Sequence, residues 1–513
     1  MNKKTFIKNA FIMTITALIL RTIGIFFRIY MSNKIGAEGM GLYQLIFSIY
    51  VLAATFASSG ICTAVTRMVT DELATGTKKS VLRILRRAVV LSALIGLLSA
   101  ALVFFGADFI GNVWLKDARA IPALKILTPS LPFMGITSCL RGYFIARRNA
   151  SSPSRSQIFE QIVRIAVVML LIGRFAEKGI AYACMAVLIG DTLAETASCL
   201  YLGCSYMLDK RRLRTPTVNR QQTKGVVRKL LAIALPITAG RYLNSILRTI
   251  ENILVPNCLT RYNSSKEQAL SEFGMLKGMA MPLLFFPSSF LTSMSTLLIP
   301  EISEASALHQ QERVERTINR TLHITLTASI LISGIFTLFA RDLGLLIYNS
   351  AEVGFLLQVL APLMPVMYLE SVVDGILKGL DQQVSSLKYS VADSVVRIIL
   401  IILLVPIRGM EGFLFVMIVS NLLTSFLNIH RLLHITGIKL QWGRWILKPL
   451  LSMATSGAIA LLLDRIPFIR SLPLLPHLCL VGIAAVLLYG LLILLTGCVT
   501  REDLRQTAIR QVR

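Results

Sequence analysis

The feature that most constrains this chain is the recurrence of apolar runs about 20 residues long, the length an α-helix needs to cross a bilayer core at about 1.5 Å per residue. Runs bounded by charge or by Gly and Pro number about fourteen, beginning near residues 10, 42, 88, 121, 158, 179, 230, 274, 322, 353, 388, 412, 446 and 476. The chain therefore reads as an all-α polytopic membrane protein. Only 16% of its residues are charged, against roughly 25% in a soluble domain. A formal net charge of +26 would suggest nucleic acid in a polar chain. Here it belongs to a membrane protein, and no nucleic-acid partner is expected.

Charge placement sets the orientation, because cytoplasmic loops retain Lys and Arg. The N-terminus, the connections after even-numbered helices and the C-terminal tail hold 34 of the 53 basic residues, and the connections after odd-numbered helices hold 11. Both termini are thus expected in the cytoplasm. The run from about Ala10 to Tyr30 is too long for a signal segment and is expected to remain as the first membrane helix. Eight basic residues lie inside helices: Arg21, Arg28, Lys125, Arg164, Arg241, Arg248, Lys277 and Arg397.

An internal repeat organises the chain. At an offset of 233, Leu127-Thr-Pro-Ser-Leu-Pro-Phe-Met134 falls on Leu360-Ala-Pro-Leu-Met-Pro-Val-Met367, so Pro129 and Pro132 of the fourth helix match Pro362 and Pro365 of the tenth. The same offset aligns Glu160 and Arg164 with Asp393 and Arg397, and Asp71 with Glu304. Ile19-Leu-Arg-Thr-Ile23 recurs as Ile246-Leu-Arg-Thr-Ile250 at an offset of 227, which places a six-residue insertion after the seventh helix. Six helices separate equivalent positions, so the halves should be parallel repeats related by an axis along the membrane normal. The expected divisions are a six-helix half over 1–208, a basic linker over 209–229, a second half over 230–440, and helices 13 and 14 with a tail over 441–513.

Charges inside a membrane are costly and usually face protein or a water-filled cavity. Arg21 and Arg28 are seven apart, as are Arg241 and Arg248, so each pair shares a face of the equivalent first and seventh helices. Lys277 opens the eighth helix and Glu251 follows Arg248 by three. Together these six are expected to line a cationic substrate cavity, suited to phosphate or carboxylate. For Arg28 and Lys277 the alternative is snorkelling to the interface. Glu160 with Arg164, and Asp393 with Arg397, have the i,i+4 spacing of a salt bridge and read first as helix-packing pairs, a coupling role being the alternative. Asp71 and Glu304 are expected at a cytoplasmic gate. Pro129, Pro132, Pro362 and Pro365 should bend their helices. Asp191, Glu195, Glu370 and Asp374 are further acids in apolar surroundings, with no partner legible.

Catalytic motifs find no foothold: GxxxxGK[ST], HExxH and GxSxG are absent, and Thr75 to Ser80 lacks the glycine spacing of a phosphate loop. The eight cysteines contain no CxxC pair and read as small buried hydrophobes. His430 and His434 sit four apart with no carboxylate or Cys beside them, so no metal site or cofactor is expected.

The segment Asn33-Lys-Ile-Gly-Ala-Glu-Gly-Met-Gly-Leu-Tyr-Gln44, after an Arg-containing first helix, resembles the stage V sporulation protein B group of polysaccharide-type transporters. Its superfamily also holds lipid II flippases and multidrug and toxin extrusion exporters. The resemblance spans nearly the whole chain. It implies a bacterial cytoplasmic-membrane protein that flips an undecaprenyl-diphosphate-linked saccharide, such as lipid II, with membrane lipids as further partners. It also implies a cationic cavity with functional arginines on the first helix, matched by Arg21 and Arg28, and a groove for the lipid tail beside helices 13 and 14. The arginine expected near the second helix has no counterpart between Leu42 and Ala64. The coupling ion, proton or sodium, stays open, and a monomer is expected. The alternatives are an exporter of cationic drugs, which would favour an acidic cavity, and a membrane glycosyl or acyl transferase, which would need a catalytic polar loop.

Overall fold

The computed structural model describes residues 3–58, 60–75, 77–212, 225–438 and 440–498; most of the expected linker and the C-terminal tail lie outside them. The described residues are helical throughout, with no strand. Nine helices among them are long and apolar enough to cross a membrane, or ten when the bent pair Val226–Pro236 and Thr238–Asn263 is one span. One continuous stretch, Ile12–Ala74, has 63 residues and another, Gln383–Thr436, has 54. At about 1.5 Å per residue each exceeds twice the ~30 Å hydrocarbon core. The expected total of about fourteen crossings is consistent with these lengths.

Glycine explains both long stretches. Helix α1 (Lys3–Ser58) is interrupted at Gly36, with φ 71° and ψ −178°. Helix α16 (Gln383–Thr436) is interrupted at Gly409, with φ 56° and ψ −136°. A side chain is rarely tolerated at such positive φ, so each glycine divides two spans that the hydropathy pattern already separates.

The contacts divide the chain into two compact units. The first holds Met1–Gly278 with Ile398–Met410. It contains α1, α2 (Ile61–Thr75), α3 (Lys78–Phe109), α4 (Ala120–Leu127), α5 (Ser130–Ala146), α6 (Ser151–Ala176), α7 (Ile180–Arg212), α8 (Val226–Asn263) and α9 (Lys266–Phe273). Its apolar core joins α2, α3 and α5 through Val65, Ile84, Leu85, Tyr143 and Phe144. Small residues let these helices approach, as expected where lipid gives no hydrophobic drive between them. A Cβ on Gly142 would stand 2.6 Å from the Cys62 carbonyl oxygen, and one on Gly96 would stand 2.7 Å from Pro132 Cα. Helix α3 opens with a capping box between Thr77 and Ser80.

The second unit holds Met279–Arg397 and Glu411–Arg513. It contains α10 (Met281–Phe285), α11 (Ser288–Ala307), α12 (Gln311–Leu338), α13 (Ala340–Tyr348), α14 (Ala351–Leu360), α15 (Met364–Gly379), both ends of α16, α17 (Lys448–Asp464), α18 (Pro467–Arg470) and α19 (Leu474–Leu495). Helix α12 is its hub: Ser333 donates to the Ala361 carbonyl at 2.8 Å, and Tyr489 of α19 donates to the Thr327 carbonyl at 2.8 Å.

The repeated prolines act alike in the two units. Pro129 caps the start of α5 after a two-residue break from α4. Pro362 lies in a short 3₁₀ turn between α14 and α15, and Pro365 is at the start of α15. Each removes a backbone donor, and the fourth and tenth predicted helices are both split at these sites.

Candidate functional site

In the first unit, both stretches of α1 together with α2, α5, α6, α7 and α8 line an open cavity of about 850 Å³. Leu20, Gly24, Phe27, Arg28 and Met31 reach it from before Gly36, and Tyr43, Phe47 and Tyr50 from after. These three aromatic residues recur at i, i+4 and i+7, so their rings stack along one face of the helix. The Tyr43 and Phe47 centroids are 5.5 Å apart and those of Phe47 and Tyr50 are 5.8 Å apart. Tyr50 is fixed by a hydrogen bond from Ser130 at 3.0 Å.

Three guanidiniums, Arg28 from α1 and Arg241 and Arg248 from α8, also line this cavity. Among the described residues none of the three has an ion-pair or hydrogen-bond partner. Asn244 and Ser245 lie between the α8 arginines and face the same space. The other expected cavity residues lie elsewhere. Lys277 and Glu251 pair with each other at 3.1 Å, and neither they nor Arg21 line the cavity. The Lys277 charge is thereby met by protein.

Helices α6 and α7 bring to the cavity a network wider than the expected i,i+4 pair. Arg164 Nη2 is 3.1 Å from Glu160 Oε1, its Nη1 donates to Gln161 at 2.7 Å, and its Nε stands 2.6 Å from Asp191 Oδ1. Arg141 of α5 takes the other Glu160 oxygen at 3.0 Å. Glu195, one turn beyond Asp191 on α7, faces the cavity with 9% exposure. Arg141, Asp191, Glu195 and the aromatic face were not among the site residues read from sequence. The four-residue spacing of Asp191 and Glu195 and the 4/3 spacing of the aromatics were the available signals.

In the second unit Asp393, 3% exposed, accepts from Arg397 and from Ser420 Oγ, the latter at 2.6 Å. Asp374 accepts from Lys378 and Ser386. Asp71 and Glu304 are each exposed. Among the described residues no group of three His, Cys, Asp or Glu could hold a metal. His430 and His434 stack loosely, with ring centroids 6.5 Å apart. All eight cysteines are free, and only Cys204 and Cys479 are exposed.

A second charged cluster joins the connections after the first, third and seventh predicted helices. Arg119 spans Glu38 at 2.7 Å and Asp117 at 3.1 Å, and Lys266 lies 3.4 Å from Asp117. Burial raises the Asp117 carboxyl, but hydrogen bonds from Arg119 and the Lys266 charge outweigh it and hold the group below the usual carboxylate range.

This arrangement of helices defines a multi-pass membrane protein with the fold of the MOP transporter superfamily. The structure superposes on lipid II flippase MurJ in its inward closed conformation with a TM-score of 0.66 at 14% identity, over 93% of this chain and 97% of the other. An inward-facing multidrug resistance MATE transporter of the MOP superfamily gives 0.63 at 13% identity, over 83% and 98%. The chain belongs to the polysaccharide biosynthesis protein family, which matches residues 6–306, while residues 267–403 match the MatE family. Among relatives in Bacillus subtilis (strain 168), Stage V sporulation protein B is 28% identical over 83% of each chain. Lipid II flippase MurJ is 22% identical over 83% of this chain and 82% of that one. These relatives and neighbours make the chain a flippase or exporter of the MOP type.

Proposed function

We propose that the protein flips an anionic undecaprenyl-diphosphate-linked saccharide, lipid II or a related wall precursor, across the bacterial cytoplasmic membrane by alternating access. One observation carries this reading: Arg28, Arg241 and Arg248 line one cavity, and among the described residues none of the three has an ion-pair or hydrogen-bond partner. Unpaired guanidiniums in a confined site favour a ligand that brings its own negative charge, and their planar forks suit phosphate oxygens. An 850 Å³ space is large enough for a diphosphate with sugar attached. The prolines at which the fourth and tenth predicted helices are split, Pro129, Pro362 and Pro365, supply bend points for rocking. Both termini would face the cytoplasm, the two six-helix halves would rock about the substrate, and the lipid tail would run beside helices 13 and 14. The names of the relatives support this substrate class. The protein moves its substrate unchanged, so no catalytic residue is assigned.

The testing experiment measures lipid II on each leaflet after depletion in a strain lacking other flippases. Inner-leaflet accumulation reversed by wild type, but not by Arg248→Ala at equal membrane level, supports the reading. Unchanged lipid II on both leaflets overturns the substrate and redirects the search to another polyprenyl-linked glycan.

A further inference from the structure

The cavity is lined by groups of both signs. Arg28, Arg241 and Arg248 stand on α1 and α8, whereas Glu195 stands on α7 beside the network of Glu160, Asp191, Arg141 and Arg164. With Glu195 the group contains three carboxylates and two guanidiniums, and both guanidiniums are already engaged: Arg141 with Glu160, and Arg164 with Glu160, Gln161 and Asp191. Glu195 is left over. It is 9% exposed, opens onto the cavity, and has no hydrogen bond or ion pair among the described residues. A buried carboxylate outside hydrogen-bond reach of any donor is costly, so it suits a ligand that brings a charged donor into the cavity.

A metal ion fits poorly. Divalent hard cations take six or more oxygen ligands, and among the described residues no group of three His, Cys, Asp or Glu could hold a metal. An ammonium group asks for less: one carboxylate, a few neutral acceptors and an aromatic face. The Phe47 and Tyr50 rings supply the face.

We propose that Glu195 is the acceptor for a protonated amine on the substrate's head group, which packs against Phe47 and Tyr50 while the diphosphate engages the arginines. This rests on the lipid-diphosphate reading and narrows it to saccharides, or saccharide-peptides, that carry a free amine.

The test uses the purified full-length protein in lipid nanodiscs and two synthetic undecaprenyl-diphosphate saccharides, identical except that the amine is free in one and N-acetylated in the other. Wild type should bind the free amine about tenfold or more tightly. Glu195→Gln should bring the two to within about twofold of each other, and Glu195→Asp should restore part of the preference. Equal binding of both lipids by wild type would overturn the amine subsite and leave the diphosphate reading standing. Loss of sodium or proton dependence in Glu195→Gln, with the amine preference intact, would also overturn it and assign Glu195 to ion coupling. No binding of either lipid by folded wild type would sink both readings together.

Discussion

A Cβ placed on Gly41 would lie 2.0 Å from the backbone carbonyl oxygen of Leu270, so α1 and α9 meet main chain to main chain. Gly274 makes the reciprocal approach, its Cβ position lying 2.0 Å from the Ala37 carbonyl oxygen. Neither neighbour can yield without moving a helix. Gly41→Ala and Gly274→Ala should each cost about 1–3 kcal/mol, read as a lowered thermal midpoint in detergent. An unchanged midpoint in both would show that the approach is looser than described.

The cavity arginines should separate from the paired cation. Arg248→Ala and Arg28→Ala are each expected to weaken lipid-diphosphate binding about tenfold to a hundredfold, with normal yield and melting. Lys277→Ala removes an ion-pair partner of Glu251 instead, and should lower stability more than affinity. A reversal of that order, measured by titration and thermal unfolding of the same preparations, would remove the assignment of ligand to arginine.

Charge reversal across the α6 pair should fail to rescue. In Glu160→Arg with Arg164→Glu, the new arginine meets Arg141, and the new glutamate meets Asp191. Two like-charge contacts replace two favourable ones. The double variant should therefore give no more folded protein in the membrane than either single change. Recovery to wild-type level would mean that Arg141 and Asp191 contribute little.

The cluster around Asp117 should loosen in acid. Its carboxyl titrates lower when folded than when free. The stabilisation it confers is therefore full above the ordinary aspartate value of about 4 and is lost as pH falls through the lowered folded value. Hydrogen exchange of residues 110–120 should rise below about pH 4 in wild type. Asp117→Asn should show the faster exchange at neutral pH and little further change in acid. A flat wild-type profile would count against the cluster as a clasp.

Much of the fold was legible because a bilayer imposes length. The apolar runs, the repeat and the paired prolines all correspond to helices or helix breaks, and the glycines at 36 and 409 fall between predicted spans. The site was legible only in part. Arg28 faces the cavity while Arg21, seven residues earlier, does not line it. A straight helix drifts about 20° per heptad, which carries Arg21 past the edge of the stripe formed by Leu20, Gly24 and Phe27. The Glu251 and Lys277 pair joins residues 26 apart in sequence, and no local periodicity announces such a contact. Glu195 was visible with Asp191 as one of two acids in an apolar helix, but its meaning depends on Arg141 and Arg164 being occupied elsewhere, which only the packing reveals.

Gly36 has open space around it: a Cβ there would meet no heavy atom within 4 Å. Beyond it α1 is bolted to α9 through Gly41, while before it the helix carries Arg28. One backbone position thus separates a segment pressed against α9 from a segment that brings Arg28 to the cavity.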